Sequence, residues 1–153
     1  MKHFKKATNK HLGELLVERG VISWEELEMA LNYQNEKGGL LGEILVELKF
    51  AHEEDIAQAL TCQYGFPYLP LSNYEIDADV INAVPEQVCR QFCLIPIDKI
   101  GKSLTMAMAD PLNVQAIEDV ELLTGCFVQS FVSTPTDIKN SINKYYKSKL
   151  CSP

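Results

Sequence analysis

A 24-residue segment occurs twice near the start of this chain, and no other feature limits its fold so strongly. His11–Gln34 (HLGELLVERGVISWEELEMALNYQ) aligns without a gap on Leu40–Gln63 (LLGEILVELKFAHEEDIAQALTCQ), 29 residues further on, with ten identities that include Gly13/Gly42, Leu16/Leu45, Leu31/Leu60 and Gln34/Gln63. Such a repeat is one supersecondary unit used again, and two copies predict a pseudo-symmetric pair and not a solenoid. Each copy reads as two helices. Leu12, Leu15 and Leu16 recur at helical spacing, and Gly20 stands where a left-handed residue would end that helix. Ser23-Trp-Glu-Glu26 spells a capping box for the next helix, along which Leu27, Ala30, Leu31 and Gln34 share a face. The second copy runs Leu41–Leu48 and His52–Gln63, with Lys49 in place of the glycine and His52 in place of the serine, so its turn is less well specified. Most of these leucines are expected to pack a small helical core.

The pattern changes after Gln63. Two prolines within Phe66–Leu71 predict an extended connector. Asp77–Ala83 and Pro85–Phe92 read as a broken helix with Pro85 at its first helical position. Leu94–Ile100 and Leu104–Met108 flank Gly101-Lys102-Ser103 as a hairpin would. Asp110-Pro111 suggests an N-cap and first helical residue for a helix ending at Gly125, Phe127–Val132 a third strand, and Thr134-Pro135 a last helix ending near Tyr146. The predicted fold class is α+β: a four-helix amino-terminal subdomain built from the tandem repeat, then a small α/β subdomain with a three-stranded sheet. The expected divisions are a basic arm (1–10), the helical tandem-repeat subdomain (11–63), a connector (64–72), the α/β subdomain (73–148) and a tail (149–153).

Charge and chemistry narrow the function. The net charge is −7, and residues 11–63 alone hold three basic and 11 acidic side chains behind four lysines in residues 1–10. That balance argues against DNA or RNA as a partner. No apolar run reaches the roughly 18 residues of a membrane span, and the basic start lacks the apolar stretch of a signal peptide. Five scattered cysteines without a CxxC pair predict a reduced, cytoplasmic chain with no metal site. Gly101-Lys102-Ser103 matches the end of a phosphate-binding loop, but Pro96 occupies the place of the required earlier glycine, and the segment lies between strands. No histidine belongs to a metalloprotease or nucleophile pattern, so the chain is read as having no catalytic residues.

The doubled spelling Leu-Gly-x-x-Leu-Val, followed by Leu-x-x-x-Leu-x-x-Gln in the first copy and Ile-x-x-x-Leu-x-x-Gln in the second, together with Phe66-Pro-Tyr68, Leu104–Pro111, Leu123-Thr-Gly125 and Thr134–Tyr146, resembles the MshEN domain. That domain forms the amino terminus of type II secretion and type IV pilus assembly ATPases (GspE-like). The resemblance covers roughly Leu12 to Tyr146. It implies a non-catalytic, cytoplasmic regulatory or docking module without a resident cofactor, and cyclic di-GMP as a regulatory nucleotide ligand, one half held by each copy. Carried over, the ligand site comprises His11, Leu12, Gly13, Leu27, Leu31, Gln34, Leu40, Leu41, Gly42, Ile56, Leu60, Gln63 and Asp110. The leucines and Ile56 would supply an apolar platform, amides near Gly13 and Gly42 would meet phosphate, and the glutamines and Asp110 would orient polar groups. Members that bind the ligand begin each copy with arginine, whereas this chain has His11 and Leu40. Two functions therefore stay open. One is a ligand-binding module. The other is a pure protein–protein docking domain with a degenerate nucleotide site, directed at the ATPase or at an inner-membrane platform protein and so peripheral to that membrane.

Overall fold

The computed structural model describes residues 12–150, with side chains to Tyr146; the basic arm, His11 and residues 151–153 lie outside the described residues. The first copy of the repeat forms α1 (residues 12–18) and α2 (Trp24–Lys37), and the second forms α3 (Leu41–Glu47) and α4 (Glu53–Tyr64). Both copies make the same turn. Gly20 and Lys49 are left-handed, at φ 77° and 65°. Their N–H groups donate to Val17 O and Val46 O, and the next amides, Val21 and Phe50, donate to Leu16 O and Leu45 O. This is the paired hydrogen-bond pattern that closes a helix on a left-handed residue, and the second copy achieves it with a lysine. The box at α2 is complete, with Glu26 N donating to Ser23 Oγ and Ser23 N to Glu26 Oε1. His52 heads α4 without a side-chain cap. Leu12, Leu16, Leu41, Leu45 and Leu60 are fully buried in one core. Each such side chain is worth roughly 1.5–3 kcal/mol of apolar burial.

A 3₁₀ turn (Leu71–Asn73), α5 (Ala78–Ile81) and α6 (Glu86–Phe92) lead into the sheet. The strands are β1 (Leu94–Ile100), β2 (Ser103–Met108) and β3 (Phe127–Val132), in the order β1-β2-β3. β1 pairs antiparallel with β2 from Leu94/Met108 to Ile100/Ser103, with an irregularity between Pro96 and Asp98. β2 pairs parallel with β3 from Ser103/Phe127 to Met108/Val132. A parallel neighbour needs a crossover, which α7 (Val114–Thr124) provides, and α8 (Pro135–Leu150) follows β3. The second core gathers Leu94, Ile95, Leu104, Met106, Met108, Ile138 and Ile142. Val132, at the end of β3, belongs instead to the helical core. The free edge of β3 is blunted: Val128 N donates to Glu121 Oε2, and Val132 exchanges bonds with Pro67 and Leu69 of the connector.

Several expected boundaries are corrected. The crossover helix does not begin at Asp110-Pro111. Asp110 Oδ1 accepts Leu112 N in a local turn, and Asn113 caps α7 by accepting Ala116 N. Asx side chains compete in this way for the amides just after them. Pro85 is the N-cap of α6 and not its first helical residue. α2 continues past Gln34 to Lys37, and α8 continues past Tyr146 to Leu150.

Candidate functional site

The two copies meet at their starts, where a Cβ placed on Gly42 would lie 3.8 Å from Leu12 Cδ2 and 4.0 Å from Ile56 Cδ1. Around that meeting point is a small cleft lined by Leu12, Leu40, Gly42, Glu43, Glu53, Ile56, Ala57, Ala109, Asp110, Ser133 and Pro135. Both copies and the α/β subdomain contribute to it. Leu40 is the N-cap of α3 and makes no side-chain cap bond, so the first amides of α3 lack that protein acceptor. Asp110 is held by its turn to Leu112, and burial pushes its carboxyl up to about 6, with the Leu112 amide acting in the opposite direction. A carboxyl of this kind changes charge near neutrality, which suits it to exchange a hydrogen bond with a polar heterocycle.

The cleft is fastened on one side by α8. Glu53 accepts two bonds from Thr136, from the backbone N at 2.6 Å and from Oγ1 at 2.6 Å. Glu43 Oε2 pairs with Lys139 Nζ at 2.6 Å. These acceptors belong to the second repeat, and their partners lie 83 and 96 residues away in sequence. A second cleft, lined by Glu43, Val46, Glu47, Glu53, Pro135, Thr136 and Lys139, adjoins the first along Glu43, Glu53 and Pro135.

Of the residues singled out in the sequence, Leu12, Leu40, Gly42, Ile56 and Asp110 line the cleft together. The others sit elsewhere. Leu41 and Leu60 are buried in the helical core, and Leu31 packs half-buried against it. Gly13 is buried because Leu27 covers it: a Cβ there would come 2.5 Å from Leu27 Cδ1. Gln34 Nε2 donates to Gly39 O and closes the spacer between the copies, while Gln63 is exposed. His11 lies outside the described residues. Sequence reasoning did not find Glu43, Glu53, Ser133, Pro135 and Lys139. Their role arises from contacts between subdomains, for which a local pattern carries no signal.

Outside the cleft, burial raises the thiols of Cys89 and Cys93 to about 11 and 12. Cys89 packs against Tyr146, whose hydroxyl lies within hydrogen-bond distance of both Ile81 O and Val84 O and donates its one proton between them. Among the described residues, no helix is long and apolar enough to cross a membrane.

Comparison with known proteins places this geometry. The model of the MshEN domain matches residues 64–150, which begin just after the repeat. The chain is 34% identical over 138 residues to the type IV pilus assembly ATPase PilB of Myxococcus xanthus, covering 90% of this chain and 24% of that protein. It is 31% identical to PilB of Thermus thermophilus, covering 90% of this chain and 16% of that one. It thus spans a quarter or less of the length of these relatives. The match corresponds to their amino-terminal, non-catalytic domain and not to an ATPase core. Among solved structures, MshE with cdg is 31% identical with a TM-score of 0.66, covering 88% of this chain and 98% of that chain, an extent that takes in most of the repeat. The amino-terminal domain of XpsE shares the fold, with a TM-score of 0.73 at 24% identity, covering 90% of this chain and 95% of that chain. This chain belongs to the MshEN-domain family of amino-terminal domains from secretion and pilus ATPases.

Proposed function

We propose that the chain is a non-catalytic regulatory and docking module of a bacterial secretion or type IV pilus system, and that it takes cyclic di-GMP in the cleft between its repeats. The observation that carries this reading is the convergence of Leu12, Leu40, Gly42, Ile56 and Asp110 in one cleft of a chain that is similar along most of its length to MshE with cdg. Apolar side chains would contact the guanine faces, the uncapped start of α3 would meet phosphate, and Asp110 would face a guanine edge. In this reading residues 11–63 and 73–148 are the two working subdomains, joined by 64–72, and Leu31, Gln34 and Leu60 hold the shape of the site and do not touch the ligand. Calorimetry with cyclic di-GMP at physiological salt should give saturable binding below about 10 µM, weakened about tenfold by Asp110→Ala. No heat from either protein at ten times that concentration would remove the ligand from the proposal.

The docking half has its own support. Leu122 and Phe127 are 85% and 74% exposed beside one another, and Ile100 lies in the same sheet row as Phe127. Apolar side chains so grouped mark a contact surface. The partner in this reading is the rest of an ATPase or an inner-membrane platform protein, leaving the module cytoplasmic and peripheral to that membrane. Phe127→Asp should abolish recovery of such a partner without changing the cyclic di-GMP titration.

A further inference from the structure

The main cleft has apolar walls and an acidic rim. Leu12, Leu40 and Ile56 line it together with Glu43, Glu53 and Asp110, and no cation is among the described residues that line it. Lys139 balances Glu43 from the adjoining cleft, where Glu47 adds a further exposed carboxylate. Glu53 gives both its oxygens to the neutral donors of Thr136, so its charge pairs with no cation among the described residues. Such a rim favours a cationic occupant.

The most basic stretch of the chain is attached to this rim. Residues 1–11 (MKHFKKATNKH) carry Lys2, Lys5, Lys6 and Lys10 and no acidic residue, and they join the fold at Leu12, which itself lines the cleft. Lys10 is two residues from Leu12, so their Cα atoms are at most about 7 Å apart, and the nine residues before it can extend about 30 Å. We propose that this basic segment is the occupant of the cleft in the ligand-free protein, its lysines paired with Glu43, Glu47 and Glu53. A lysine suits the place, because its aliphatic stem covers apolar surface while its ammonium stays at the polar rim. Each exposed pair is worth little by itself. A tethered segment, however, acts at an effective concentration on the order of millimolar, so a few weak pairs suffice to hold it. The inference goes beyond the nucleotide reading and does not depend on it; a nucleotide entering the same cleft would have to displace these lysines.

The test is zero-length coupling of amines to carboxylates with a carbodiimide in the full chain, the links being mapped by peptide mass spectrometry on the monomeric product. Links from Lys5, Lys6 and Lys10 should fall on Glu43, Glu47 and Glu53 at least about fivefold more often than on Glu25 and Glu28, two exposed carboxylates of α2. Raising the salt to about 1 M, where the screening length is about 3 Å, should remove that preference. Trypsin should also cut after Lys5 and Lys6 about threefold to tenfold faster in Glu43→Gln/Glu47→Gln than in the wild type. The coupling pattern needs no substitution and decides the matter even where that variant fails to fold. Equal coupling to Glu25 and Glu28, or a pattern unchanged in high salt, overturns the inference and leaves the cyclic di-GMP titration as a separate question. Links confined to a dimeric product overturn it as well, since the segment then serves a second copy.

Discussion

The two copies of the repeat share a backbone and differ in what they do with it. In the first, Gly13 disappears under Leu27, Ser23 and Glu26 complete a capping box, and Gly20 closes α1 without strain. In the second, Gly42 has ordinary space around it, His52 caps nothing, and Lys49 is held left-handed. The first copy is therefore optimised as a scaffold. The second supplies most of the repeat residues that line the cleft, the ties to α8 and the less favourable local choices. Repetition supplied the architecture, and the two copies diverge in their caps, turns and contacts with the α/β subdomain.

The sharpest way to break the comparison is to give both glycines a methyl group. Gly13→Ala should destabilise by about 1–3 kcal/mol, because the buried Leu27 cannot move aside freely. Gly42→Ala should be neutral or stabilising by up to about 1 kcal/mol, as its nearest neighbours lie 3.8 and 4.0 Å away. Urea melts of the two variants decide it, and equal losses would mean that the copies are packed alike.

Asp110, which faces the second copy's cleft, gives the next effect. Its folded pKa of about 6 lies above the ordinary aspartate value of 3.8, so the native state binds the proton more tightly than the unfolded chain. At low pH, with the carboxyl protonated in both states, there is no penalty. The penalty grows as pH rises from about 4 to 6 and persists above, on the order of 1–3 kcal/mol. Asp110→Asn should remove that decline, so denaturation from pH 3 to 8 should show wild type and variant converging in acid and separating towards neutrality.

The caps should give the smallest differences. Ser23→Ala should cost about 1 kcal/mol in the first copy, while Lys49→Gly should gain about 0.5–1 kcal/mol in the second. If thermal melts show Lys49→Gly losing stability, then the lysine side chain makes a contribution that outweighs its backbone conformation.

Much of the architecture was legible locally. The repeat, the Gly20 stop, the Ser23–Glu26 box, the hairpin around Gly101 and the Thr134-Pro135 start each rest on interactions between residues a few positions apart. Asp110-Pro111 misled for an equally local reason: the same aspartate can cap a helix or close a turn on Leu112, and it does the latter. The lining of the cleft was half legible. Leu40, Gly42 and Asp110 could be named, but Gly13, Leu27 and Gln34 carry the same motif and serve packing and the spacer.

The sequence by itself determined a doubled helical hairpin followed by a three-stranded α/β unit, because periodicity, caps and turns act over short range. Only the tertiary structure decided which copy opens to the cleft and which groups face it. Glu43, Glu53, Lys139 and Thr136 meet across 83 to 96 residues of chain. Nothing local encodes such a meeting; it follows from how the two cores are docked.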